Sequence, residues 1–215
     1  MAALGVAGGY AYADLHAASP EGQGSGLPAA ASGPAYPSTP KDPGIISDPN
    51  DPPLPEDIDL VDAVLGKPGE GISLQVPKDW SRTDQPSGTE ARWTFDPFGS
   101  SPYSVRVSLV DDRHSPPYLV AAKLAQLPLD PRIRDLKVVE QDEDSAVFTY
   151  VFNRKKIEQV DRYVSLTGGP TDVEIATSGR FVDDPGMRAL VARMVDSLGI
   201  LPAGPDKSQS PSSTQ

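Results

Sequence analysis

The sequence contains no cysteine, only two histidines and no apolar run long enough to cross a bilayer. Without cysteine there is no disulfide, no thiolate nucleophile, no Cys-ligated zinc and no lipid-modified cysteine anchor. The longest N-terminal apolar stretch, AALGVAGGYAYA at residues 2–13, falls well short of the roughly 20 residues a spanning helix needs. Basic charge is scarce too: 19 Lys and Arg stand against 30 Asp and Glu, a net charge of −11. An acidic chain without a basic stripe lacks the phosphate-neutralising residues that supply most nucleic-acid affinity, so nucleic acid is excluded as a partner. Phosphate-cradling motifs of the Walker or dinucleotide type are missing, because Gly168-Gly169-Pro170 falls between two strand patterns rather than between a strand and a helix.

Proline and glycine, by contrast, are plentiful: 24 and 19 of 215 residues. Eleven prolines lie in residues 1–70, ten in 71–199 and three in 200–215, so the flanks are the proline-dense parts. Acidity follows the same division, since residues 1–70 carry 2 basic and 10 acidic side chains, a balance of −8, and residues 71–199 carry only −3. The sequence therefore predicts a folded domain over 71–199, preceded by a Pro-rich acidic linker (14–70) and followed by a disordered tail (200–215). Pro-rich polar chain of this kind acts as a semi-rigid spacer of about 3 Å per residue, so the linker would reach on the order of 100 Å. The carboxylates between Asp48 and Asp62 hint at calcium, but Pro49, Pro52, Pro53 and Pro55 interrupt the ligand spacing and no metal is assigned. For residues 1–13 the preferred expectation is the outer end of a longer hydrophobic membrane anchor. A cleaved export signal, for which Ala11-Tyr12-Ala13 fits but a basic start is missing until Lys41, and a plain flexible N-terminus stay open.

Within the middle segment, Gly71–Val76 alternates and stops at Pro77, Ala91–Phe95 alternates again, and Ser104–Val110 places Val105, Val107 and Leu109 on one face. Tyr118–Leu127 sets Val120, Leu124 and Leu127 at helical spacing behind Pro116-Pro117. Four β segments follow at 136–141, 146–152, 157–166 and 172–177, joined by short polar turns suited to an antiparallel meander. Asp183-Asp184-Pro185 then reads as a helix cap, with Met187, Leu190, Val191, Met194, Val195 and Leu198 on one stripe and Gly199 as the stop. The order is βββ-α-ββββ-α: an α+β fold with an antiparallel sheet of about seven strands and helices packed on it.

Candidate chemistry is sparse. In Asp111-Asp112-Arg113-His114-Ser115 a functional reading makes His114 a general base oriented by Asp111 or Asp112, with Ser115 as nucleophile, but neighbours in one turn rarely converge as a catalytic triad requires, and the loop is expected to cap the helix instead. No catalytic residue and no cofactor is assigned. Two features point to partner binding: the basic triplet Arg154, Lys155 and Lys156 at a hairpin tip, suited to an anionic lipid head group, a wall polymer or an acidic partner, and Trp80, which with Trp93, Phe95, Phe98 and Tyr103 would line an apolar groove.

The strand ending in Val76-Pro77-Lys78-Asp79-Trp80, the mid-domain helix, the four-strand meander and the closing amphipathic helix together resemble the Mog1/PsbP-like fold over about residues 70–199, and among actinobacterial proteins the LpqN-type and membrane-anchored envelope proteins. The resemblance implies a non-catalytic extracytoplasmic binding or accessory domain, monomeric, tethered to the cell envelope, with a protein or envelope component as partner. Lipoprotein members are tethered through a modified cysteine, and this chain has none, so any tether here must be its hydrophobic N-terminus. The alternative it implies is a cytoplasmic Mog1-like regulator or a secretion-associated chaperone.

Overall fold

The computed structural model describes residues 44–47, 51–95, 103–111 and 113–203. The expectations for residues 1–13 and for most of the C-terminal tail, together with Phe98 and Asp112, lie outside the described residues. Ten strands and two helices follow in the order β1 (Leu60–Leu65), β2 (Ile72–Pro77), β3 (Ser81–Asp84), β4 (Glu90–Phe95), β5 (Tyr103–Leu109), α1 (Pro116–Gln126), β6 (Arg134–Gln141), β7 (Ser145–Phe152), β8 (Lys155–Val164), β9 (Val173–Gly179), α2 (Asp184–Asp196) and β10 (Gly199–Ile200). A seven-stranded antiparallel sheet has the order β3-β4-β5-β9-β8-β7-β6, and β1-β2-β10 form a second, three-stranded sheet. The expected α+β class and the β6–β9 meander are present.

Two expectations are corrected. β2, read from sequence as the first strand of the main sheet, belongs to the small one: Asp79 takes a positive φ of 63° just after Pro77, which breaks the strand, and the chain enters the main sheet only with β3. Second, the folded unit starts earlier than residue 71. β1 pairs with β2 along its whole length, and upstream of it Leu54 is buried in the main core. Prolines 52, 53 and 55 hold this strap extended, and its main chain is bound from the domain. The Arg180 guanidinium donates to the Asp51 and Pro52 carbonyls at 3.2 and 2.8 Å. Leu54 N–H donates to Asp183 Oδ1 at 2.9 Å, and Arg193 donates to the Glu56 and Ile58 carbonyls at 3.3 and 2.8 Å. Gly186 lets the strap lie against α2, since a Cβ there would collide with the Leu54 carbonyl.

The main sheet has two unlike faces. Tyr103, Val105 and Val107 of β5, Val173 and Ile175 of β9, and Val160 of β8 meet Met187, Leu190, Val191 and Met194 of α2 together with Ile72, Leu74 and Val76 of β2. Full burial of four such α2 side chains contributes about 6–12 kcal/mol, comparable with the whole stability of a domain this size. On the opposite face α1 covers Ala146, Phe148 and Tyr163 with Val120. There β5, β8 and β9 also place the charged side chains Arg106, Asp161 and Glu174. The Ser115 hydroxyl at the start of α1 makes no cap bond, and the Asp183 carboxylate, expected to cap α2, is engaged by the Arg180 backbone N–H and guanidinium and by Leu54 instead. No helix among the described residues is long and apolar enough to cross a membrane.

Candidate functional site

Polar groups beneath α1 form one continuous set. Arg106 pairs with Glu174 at 2.7 Å and lies 3.5 Å from Glu90. Lys123 of α1 reaches Glu174 and the fully buried Asp161 at 3.4 and 3.5 Å. Tyr163 donates to Glu174, and Gln159 donates to Asp161 at 2.6 Å while accepting from Tyr150. Burial pushes the Asp161 carboxyl above its usual range against the pull of Lys123, and pushes the Tyr150 hydroxyl up to about 12. Cations and carboxylates partner one another here, so the set fastens α1 to the sheet. A shallow depression of about 470 Å³ near the C-terminus of α2 is similarly self-satisfied, Gln75 donating to both Ser197 and Asp62 across it.

The end of the sheet formed by the β7–β8 hairpin is built differently. Phe152 and Lys155 pair across a two-residue loop, and both loop residues, Asn153 and Arg154, have positive φ, 48° and 66°. That is the geometry of a type I′ turn, which asparagine tolerates and which glycine, not arginine, usually completes. Arg154 is spent partly on its own chain: Nε donates to the Gly44 carbonyl at 3.3 Å, and its carbonyl accepts from Ile46 N–H at 2.7 Å. The Lys156 ammonium lies 5.1 Å from the Phe181 ring centroid. Lys156 and Ile45 line a cavity of about 310 Å³ with Leu136, Lys137, Tyr150 and Val151; Asp135 also borders it.

Sheet order adds cations to this end that the sequence does not place there. β6 begins beside the end of β7, with Arg134 opposite Val151 and Lys137 opposite Thr149, and Arg132 lies over the Phe152 ring at 5.6 Å. Residues 130–137 and 153–156 thus hold six basic side chains and two acidic ones, Asp130 and Asp135. Asp130 is tied to Arg132 at 2.6 Å, and the hydrogen bonds from Arg132 hold its carboxyl at about 2. Against these cations stand four large apolar side chains facing water: Ile45 at 54% exposed, Ile46 at 45%, Phe181 at 55% and Val182 at 50%.

Of the residues singled out in the sequence, Arg154, Lys155 and Lys156 occupy this end. Trp80 sits in a half-buried aromatic row, 5.9 Å from Phe95 and 6.2 Å from Tyr103 between ring centroids. Tyr103 is bonded by Arg180 at 2.9 Å, and the residue after Arg180 is Phe181. Trp93 is buried in the core and is no groove residue. The His114 ring stacks on Tyr118 at 4.0 Å. Sequence reading missed Ile45, Ile46, Phe181, Val182, Arg134 and Lys137; an adjacent Ile pair inside a polar Pro-rich stretch was the one available signal.

No protein-family model matches the chain, and no curated protein matches its sequence. The fold is similar to the solved structure of the Ran-binding protein Mog1p of Saccharomyces cerevisiae, with 13% sequence identity and a TM-score of 0.47 over 67% of this chain and 97% of that one.

Proposed function

We propose that the domain is a non-catalytic binding or accessory module, monomeric, tethered on the outer side of the membrane as a component of the cell envelope, and that it meets its partner with the β7–β8 hairpin end of the main sheet. The observation that carries this reading is the joint presence there of exposed Ile45, Ile46, Phe181 and Val182 with a surplus of basic side chains. Large apolar groups gathered in one place on a surface mark interaction sites, and a local cationic field in an otherwise acidic protein orients an approaching acidic partner. Arg154, held in a left-handed conformation that glycine adopts more easily, adds to the same reading, because strain of this kind collects at working surfaces.

Location and surface are tested separately. Protease added to intact cells should remove the domain; survival of the domain under protease that digests other surface proteins would overturn the envelope placement, and a soluble cytoplasmic pool would favour a cytoplasmic regulator. Replacing Lys156 and Val182 by Ser should leave the thermal melt within about 2 °C of the parent, since both side chains are exposed and such substitutions cost little, while weakening the binding of added purified protein to washed envelope fragments. Binding equal to the parent would exclude this end as the docking surface.

A further inference from the structure

We infer that the partner met by the hairpin end is an anionic lipid surface, into whose head-group layer Ile45, Ile46, Phe181 and Val182 insert while the basic side chains around them face lipid phosphates. The inference rests on the docking surface proposed above and names its occupant. Three observations favour a bilayer over an acidic protein. The apolar groups project from separate segments, Ile45 and Ile46 from the stretch 44–47 and Phe181 and Val182 from the turn before α2, and each is about half exposed. That suits shallow insertion into a yielding interface better than a fit against a rigid partner. The cations are spread over three places, Arg132, Arg134 and Lys137 on and before β6, Arg154 at the turn, and Lys155 and Lys156 on β8. Lys137 and Lys156 border the same cavity as Ile45, and Lys156 lies over the Phe181 ring, so cationic and apolar groups adjoin on one surface, as an anionic head-group layer requires. Finally, the stretch 44–47 is the described part nearest in sequence to the apolar run of residues 2–13, and it crosses this same end through the Ile46–Arg154 and Arg154–Gly44 bonds.

The chain's acidity does not oppose this geometry. The described segments that make up this end, 44–47, 130–137, 153–156 and 181–182, carry six basic side chains against two acidic ones. Of the carboxylates near this end, Asp130 and Asp184 are paired with Arg132 and Arg188, and Asp135 borders the cavity.

The test is co-sedimentation of the full chain with vesicles of phosphatidylcholine alone and of phosphatidylcholine with about a third phosphatidylglycerol. The expected result is binding to the anionic vesicles that falls steeply with added salt, and a fall of about thirtyfold in partitioning for the double variant Lys137→Ala, Lys156→Ala, because each basic residue near an anionic surface contributes about fivefold. Removing as much charge elsewhere, with Lys67→Ala and Lys78→Ala, should change partitioning by less than about twofold. Binding carried by residues 2–13 would appear equally on neutral vesicles and ignore the lysines, and that result overturns the inference. Immobilised polyglutamate is the second arm. If it retains the parent but not the double variant while vesicles bind neither differentially, the surface stands and the lipid assignment falls to an acidic protein. If the double variant matches the parent in both arms, the surface falls as well.

Discussion

The two ends of the β6–β7–β8 meander are both made of short charged turns, and they use their charges in opposite ways. At the end formed by residues 142–144 and 165–172, the side chains serve their own loops. Asp142 accepts from the Ser145 hydroxyl, Asp144 pairs with Arg162 at 2.7 Å, Asp172 Oδ2 accepts from Leu166 N–H at 2.7 Å, and the Ser165 hydroxyl accepts from Gly169 N–H. At the hairpin end the charges either reach inward or stay outward around apolar groups. Arg180 and Asp183, with side chains 3% and 0% exposed, bind the strap, Glu158 is buried beneath α2, and Lys137 and Lys156 border an open cavity. A turn whose carboxylates saturate local N–H groups is finished by itself. A turn whose cations lie beside exposed isoleucine, valine and phenylalanine has surface left over for something else.

That contrast can be broken most forcefully at Arg180. Arg180→Met leaves the Asp183 carboxylate buried without its cation and releases the Asp51 and Pro52 carbonyls, so a loss of about 3–5 kcal/mol is expected in denaturant titration, with new proteolytic cleavage between residues 51 and 58. A next, smaller effect concerns Glu158. Its Oε2 has no hydrogen-bond partner, and it faces Asp184, Arg188 and Lys156. Burial, then the hydrogen bond and charge of Asp184, raise its carboxyl to about 7, against the lowering pull of Arg188 and Lys156. The folded protein therefore keeps a proton that the unfolded chain has already released. Stability should fall by about 2–3 kcal/mol as pH rises from about 4.5 to about 7 and level off above that. Glu158→Gln should flatten the slope in melts recorded across that range.

Arg154→Gly separates strain from purpose. Relieving a left-handed non-glycine residue should stabilise the fold by about 1 kcal/mol, visible as a raised thermal midpoint, while weakening whatever the hairpin end binds. The smallest change belongs to the other end: Asp144→Ala removes an exposed ion pair and should shift stability by no more than about 0.5 kcal/mol. A large loss there would mean that the two ends are not as different as their bonding indicates.

Much of this architecture was legible because it depends on local period. The β7, β8 and β9 segments and the Met187–Leu198 stripe read correctly, because each is a local run of apolar residues between polar turns and each supplies side chains to the core. The strap was not legible, because its hold on the domain consists of side-chain bonds from Arg180, Asp183 and Arg193 to main-chain atoms more than a hundred residues away, and a hydrophobic pattern carries no trace of those. β3, with four exposed polar residues, had no period to read. At the site, Arg154, Lys155 and Lys156 were visible as a triplet, whereas Arg134 and Lys137 joined them only through the pairing of β6 with β7, and Phe181 and Val182 only through the turn that follows β9.

Hydrogen exchange followed by mass spectrometry on the full chain, with and without anionic vesicles, addresses the docking end directly. Slowed exchange is expected in peptides covering 44–47, 132–137, 153–156 and 181–184, with the peptides covering 142–144 and 165–172 unchanged. Slowed exchange at 142–144 and 165–172 with the hairpin peptides unaffected would contradict that expectation.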